Sequence, residues 1–316
     1  MSKWIGMVLR VWCVVTLGLV CNGCANPLAR DPGPPPTPTP LLAPYNAAIA
    51  TAEAGGDMKI QAQAYYERGN AQLDQGDNAA AVADYTKALD LDPTNARAFN
   101  NRALAYAALG QADLALADYA AAIRLDPNYT RAYQNRLHLL EQRGDLQGMA
   151  ADYEQLAALE PKNAADYRYR QGSALHSLRD FAGARKAYDA ALAANPGHVD
   201  ALYERALLSF AEGQPAAAIA DLDRALRLSP RASNAYYARG QAHESLGEHA
   251  AAISDFTQAL NLRADYPDAL LARAAAYHSS GHADLARDDL TALDGLQLDD
   301  TLKAAADALQ EQLASP

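Results

Sequence analysis

Ala96-Arg97-Ala98-Phe99-Asn100-Asn101-Arg102-Ala103-Leu104-Ala105-Tyr106, followed by Gly110, Ala115, Tyr119, Ala122 and Pro127, is the stretch from which the rest of the chain is read. Small and apolar residues recur at helical spacing on either side of Gly110, and Pro127 stops the second run. The same order returns at closing positions Pro93, Pro127, Pro161, Pro196, Pro230 and Ala264, in steps of 34, 34, 35, 34 and 34 residues. A single globular core has no reason to repeat so strictly. A stack of two-helix units does, because no unit buries its apolar face alone. Seven units follow: 62–95, 96–129, 130–163, 164–198, 199–232, 233–266 and 267–300. Before them, residues 45–61 hold a lead-in helix marked at its end by Gly55-Gly56. After them, residues 301–316 hold a capping helix and tail, with Asp299 or Asp300 as the cap and Leu302, Ala305, Ala306, Leu309 and Leu313 as the sealing stripe.

Each recurring position has a physical reason. Gly69, Ala103, Gly172, Ala206, Gly240 and Ala274 are small, which lets two helices approach, and Ala81, Ala115, Ala184, Ala218, Ala252 and Ala286 face them. Tyr85, Tyr119, Tyr153, Tyr188, Leu222, Phe256 and Leu290 supply the large knob between units. Gly76, Gly110, Gly144, Gly213, Gly247 and Gly281 end first helices where a left-handed residue is required. Arg68, Arg102, Arg136, Arg205, Arg239 and Arg273 are each followed, 16 residues on, by Asp84, Asp118, Asp152, Asp221, Asp255 and Asp289. This pairing predicts ion pairs between the two helices of a unit. The fourth unit departs from the rule: it carries an inserted residue near Tyr167–Tyr169, and Ala187 replaces its Asp.

These eight spaced positions resemble the tetratricopeptide repeat across most of the chain. The resemblance implies an all-α, right-handed superhelical solenoid of about seven helix-turn-helix repeats with a C-terminal capping helix. It also implies protein recognition on a concave groove lined by first helices. Transferred to this sequence, groove positions are Gln63, Tyr66, Asn70 and Asp74; Arg97, Asn100, Asn101 and Leu104; Arg131, Gln134, His138 and Glu141; Tyr203, Leu207 and Phe210; and Tyr237, Gln241 and Glu244. Asn70, Asn101 and Arg131 match three positions of the clamp by which some relatives hold a terminal carboxylate. Tyr66 and Asn135 stand where that clamp has cations, which weakens anion capture; ordinary polar groove residues are the alternative. Tyr203, Leu207 and Phe210 form a second, apolar candidate anchor.

The amino terminus reads as an address. Lys3 and Arg10 precede an apolar run from Val11 to Gly23, shorter than the roughly 20 apolar residues a spanning helix needs. Val20-Cys21-Asn22-Gly23-Cys24 resembles a bacterial lipoprotein signal, which implies cleavage after residue 23 and acylation of Cys24. Cys21 and Asn22 depart from that pattern. The resemblance implies an outer-membrane lipoprotein facing the periplasm; an exported protein or one anchored by an uncleaved segment is the alternative. Residues 24–44 carry eight prolines and are expected to be an extended spacer.

Composition narrows the function. All three cysteines lie in the first 24 residues, so the repeats carry no thiol chemistry. The net charge of −11 argues against a nucleic-acid partner. No nucleophile elbow, phosphate loop, dinucleotide turn or H-E-x-x-H helix is present. His278 and His282 have metal-ligand spacing, but Gly281 breaks the helix between them. The chain is therefore expected to be a non-enzymatic adaptor of the bacterial envelope without catalytic residues, cofactor or metal. Its partners are a protein or peptide and, through the lipid, a membrane. A structural or self-associating protein and an envelope enzyme with a cryptic groove site are the alternatives.

Overall fold

The computed structural model describes residues 42–314. The expected signal segment 1–23, Cys24, residues 25–41 of the expected spacer and residues 315–316 lie outside them. The described residues form α-helices and one 3-10 turn, with no strand among them. They divide into two compact units, 42–178 and 179–314, and the division falls inside the fourth repeat.

The first unit contains α1 (Ala43–Gly55), α2 (Met58–Asp74), α3 (Asn78–Leu91), α4 (Ala96–Ala108), α5 (Ala112–Leu125), α6 (Thr130–Arg143), α7 (Leu146–Leu159) and α8 (Ala164–Ser177). A 3-10 turn at Pro161–Asn163 leads into α8. The second unit contains α9 (Phe181–Ala194), α10 (Val199–Ala211), α11 (Pro215–Leu228), α12 (Ser233–Ser245), α13 (His249–Leu262), α14 (Pro267–Ser279), α15 (Ala283–Leu293) and α16 (Asp300–Ala314). Within each unit consecutive helices pack on each other. First helices also touch the next first helix: α2 meets α4 and α4 meets α6, while α10 meets α12 and α12 meets α14. This places first helices side by side on one face of each unit.

The expected knobs fill the interiors. Tyr85, Tyr119, Tyr188, Leu222 and Phe256 are all at most 1% exposed. The need for small residues opposite them is geometric. A Cβ at Gly69 would stand 2.8 Å from Tyr85 Cε1, and one at Gly240 would stand 2.6 Å from Phe256 Cε1. At the ends of the first helices, Gly76, Gly110, Gly144, Gly213, Gly247 and Gly281 take φ between 66° and 82°. Arg179 takes that role in the fourth repeat with φ 63°, the only non-glycine among the described residues to do so. A left-handed side-chain residue costs about 1–2 kcal/mol.

Two boundaries differ from the sequence reading, the end of the spacer and the start of the first repeat. The proline spacer does not run to residue 44: Pro44 sits in the first turn of α1, where a missing N–H costs no hydrogen bond. The lead-in helix ends at Gly55, where the glycine pair marks it, but residues 58–61 belong to α2, ahead of the repeat start expected at residue 62. The reason is Asp57, whose side chain accepts from the N–H groups of Lys59 and Ile60 and starts α2 early. The cap of α16 is Asp299, which accepts from the Leu302 N–H at 2.8 Å. Ala306, Leu309 and Leu313 then bury against α14 and α15.

Candidate protein-recognition faces

All six predicted arginine–aspartate pairs form, each as a two-bonded fork. Arg102 Nε and Nη2 reach Asp118 at 2.7 and 2.9 Å, and Arg239 reaches Asp255 at 2.8 and 2.6 Å. Arg68–Asp84, Arg205–Asp221 and Arg273–Asp289 repeat the arrangement. Arg136 pairs with Asp152. The forks raise the pKa values of Arg68, Arg102, Arg205, Arg239 and Arg273 through their aspartate hydrogen bonds. Asp152 is pushed above its ordinary value, because burial outweighs its bond to Arg136.

A further bond follows the same spacing backwards along the chain. The remaining Nη1 reaches the preceding helix, usually 16 residues earlier: Arg102 to Thr86 at 3.1 Å, Arg205 to Asp189 at 2.6 Å, Arg239 to Asp223 at 2.6 Å and Arg273 to Thr257 at 3.0 Å. Arg68 uses Asn46 of α1 at 2.7 Å. Each such arginine therefore pins three helices, its own pair and the one before. These side chains hold the scaffold together and are not available as a recognition ladder.

On the first-helix face of the first unit, the structure corrects several expected contact residues. Asn100 and Asn101 are fully buried, and Asn70 and Tyr66 are at most 9% exposed. Tyr85 OH donates to Asn70 Oδ1 at 2.8 Å, and Asn101 Nδ2 donates to the same oxygen at 2.9 Å and to Tyr66 OH at 3.3 Å. Asn100 Nδ2 donates to Asn101 Oδ1, and Asn135 Nδ2 donates to Asn100 Oδ1, both at 3.0 Å. Amides that match a carboxylate clamp are thus used to join α2, α4 and α6. With no cation at Tyr66 or Asn135, these amides bond one another instead. Arg97 remains exposed, and Arg131, Gln134 and His138 are half-buried on the same helices. Gln134 donates to Glu160 at 3.0 Å and to Tyr167 OH at 3.4 Å, and His138 bonds Gln142 at 2.9 Å.

In the second unit, Leu207 and Phe210 are not an open patch. Both are half-buried and pack with Tyr203 against the core formed by Ala206, Ala218 and Leu222. An aromatic cluster lies on the following two repeats. The rings of Tyr237 and Tyr266 lie 5.1 Å apart, and Tyr237 lies 5.9 Å from Phe256. Asn234 hydrogen-bonds the Tyr203 phenol, whose pKa burial pushes up to about 12. Burial also raises Tyr237 and Tyr266, with Tyr203 and Asp268 adding to both shifts. Gln241 Nε2 donates to Tyr237 OH at 2.9 Å. Tyr266, Asn234 and Asp268 were not singled out in the sequence, although Tyr266 stands in the turn where Ala264 replaces the closing proline. Among the described residues no group of three or more His, Cys, Asp or Glu side chains is placed to hold a metal ion. No described helix is long and apolar enough to cross a membrane.

The tetratricopeptide repeat family matches residues 69–110, 96–129, 136–199, 169–233 and 203–267. No curated protein matches the chain. Among solved structures, the C-terminal part of a TPR repeat-containing protein from Cytophaga hutchinsonii is similar with a TM-score of 0.56 and 15% identity, over 76% of this chain and 98% of that one. YrrB, a TPR protein with an unusual peptide-binding site, has a TM-score of 0.49 and 21% identity over 60% of this chain and 97% of its own. The pilF protein of Pseudomonas aeruginosa has a TM-score of 0.42 and 18% identity over 66% and 94%. At such identities the likeness concerns the fold. The family matches, the six arginine–aspartate forks and the glycine-ended hairpins converge, and the chain belongs to the tetratricopeptide repeat proteins.

Proposed function

We propose that this protein is a non-enzymatic adaptor of the bacterial cell envelope, tethered by acylated Cys24 and a proline spacer, which binds a peptide or partner helix on its first-helix faces. The observation that carries the recognition part is the adjacency of first helices, α2–α4–α6 and α10–α12–α14, which the forks brace against the second helices behind them. Rigid side-by-side helices suit extended or helical polypeptides, because they offer a continuous face at little ordering cost. The tether rests on Gly23-Cys24 behind the apolar run and on the prolines that follow.

Two measurements test the proposal. Mass spectrometry of the mature amino terminus is expected to find a diacylglyceryl-modified Cys24; an exported chain with an unmodified Cys24 removes the lipid anchor. Affinity capture from envelope membranes is expected to recover a defined partner, and to recover less of it with Arg97→Glu/Arg131→Glu if the first unit's face takes part. Equal capture by that double variant removes the first unit's basic positions from the site.

A further inference from the structure

The third repeat is fastened less tightly than the two before it. Five of the six fork arginines place Nη1 on the helix before their own, and Arg136 does not. The residue 16 positions earlier is Ala120 of α5, where Thr86 serves Arg102. Arg102 thus pins α3, α4 and α5 together, whereas Arg136 joins α6 to α7 and leaves α5 unattached. The ion pair that does cross from α5 to α6 is Arg143 to Asp113 at 2.7 Å. Both side chains are exposed, and such pairs contribute little. The interior is looser as well. Where Gly69 and Ala103 let the helices of the first two hairpins close up, Leu137 stands. The knob of this repeat, Tyr153, keeps 9% of its surface exposed, the most of the seven. Asp152 adds a cost in the same place. Only 1% exposed, it has its carboxyl lifted by burial despite the Arg136 bonds, so its ionised form favours any state in which water reaches it.

One directional link is kept. On the first-helix face, Asn135 Nδ2 of α6 donates to Asn100 Oδ1 of α4 at 3.0 Å, and both residues are fully buried. Behind that face α5 offers Ile123 to the cluster of Tyr133, Leu137 and Tyr153, an apolar contact that fixes no angle. A hairpin tied along one edge and unlatched along the other is arranged as a hinge. We infer that the third repeat, α6 with α7, is a hinge within the first unit, opening from α5 about the Asn100–Asn135 bond while the first two hairpins stay closed. The Arg136–Asp152 fork travels with the hairpin, so opening breaks no fork and brings water to Asp152. Its effect is to change the curvature of the α2–α4–α6 face. The hinge belongs to the chain itself and does not depend on a partner.

Amide hydrogen exchange of the purified full chain, read by mass spectrometry on peptic fragments, tests the hinge. Relative to unfolded-chain rates, residues 130–159 are expected to exchange about tenfold faster than residues 96–125, the hairpin that Arg102 latches. Ala120→Thr supplies the hydroxyl that Thr86 gives to Arg102. It is expected to slow exchange in 130–159 about fivefold relative to Ala120→Val, which has the same shape and no acceptor, while 58–91 exchanges alike in both. Protection of 130–159 equal to or above that of 96–125 overturns the inference. So does equal exchange of 130–159 in the Thr and Val variants, because the missing latch is then not what lets the hairpin open.

Discussion

The two units build the same hairpin and use its polar positions differently. In the first, the first-helix face is closed by amides: Asn70, Asn101, Asn100 and Asn135 bond one another across three helices. In the second, the corresponding helices carry Tyr203, Tyr237 and Gln241, and Gln241 bonds Tyr237 within its own helix. The arginine forks differ in the same sense. Arg205 and Arg239 each bridge two aspartates, whereas Arg68 and Arg102 complete theirs with Asn46 and Thr86. Arg273 of the second unit keeps a neutral third partner, Thr257, so the doubly charged bridge belongs to the fifth and sixth repeats. The lesson is that a repeat can conserve its geometry while changing the partners its polar side chains take.

The sharpest way to break this comparison is to remove a charge from each fork. Arg239→Leu strands Asp255 and Asp223 and is expected to destabilise the chain by about 3–5 kcal/mol, since a buried carboxylate is left uncompensated. Arg136→Leu strands Asp152 alone, a carboxyl already raised by burial, and is expected to cost less. Urea denaturation midpoints compare the two, and equal losses dissolve the distinction between the units.

A smaller effect tests packing. Gly240→Ala places a Cβ against the Phe256 ring and is expected to cost about 1–2 kcal/mol net, after the gain in helix propensity. No loss on thermal unfolding means that the ring swings aside freely.

Alkaline titration sharpens the contrast in aromatic content. The Tyr203 phenol has a folded pKa of about 12, raised from 10.0, so its contribution to stability is complete below pH 10 and is lost as pH rises towards 12. Tyr203→Phe is expected to remove about 1 kcal/mol of that loss, allowing for solvent screening of a half-buried group. Identical stability profiles for the parent and variant over pH 9–12 contradict it. The smallest effect belongs to the irregular repeat: Arg179→Gly relieves a left-handed side-chain residue and is expected to stabilise by about 0.5–1 kcal/mol, part of the relief being offset by glycine's freedom in the unfolded chain. A lower thermal midpoint refutes that account.

Much of the fold was legible because its causes are local and repeated. Proline stops, left-handed glycines and the 16-residue Arg-to-Asp spacing each recur often enough to be read without an alignment. Where a single residue decided the outcome, reading failed. Asp57 started α2 early, Pro44 joined a helix instead of the spacer, and Arg179 stood in for a glycine. The candidate site was less legible than the fold. Periodicity assigns Asn100 and Asn101 to a first helix, but it does not say that neighbouring asparagines will satisfy each other and leave the surface.

The sequence by itself determined the helical hairpin, its length, its stops and the pairing of charges within a repeat, because these follow from spacing along one chain. Only the tertiary structure decided which polar side chains the scaffold consumes and which it leaves facing outward. That choice depends on hydrogen-bond partners brought together from repeats about 34 residues apart, and no local pattern records whether a buried amide will find one.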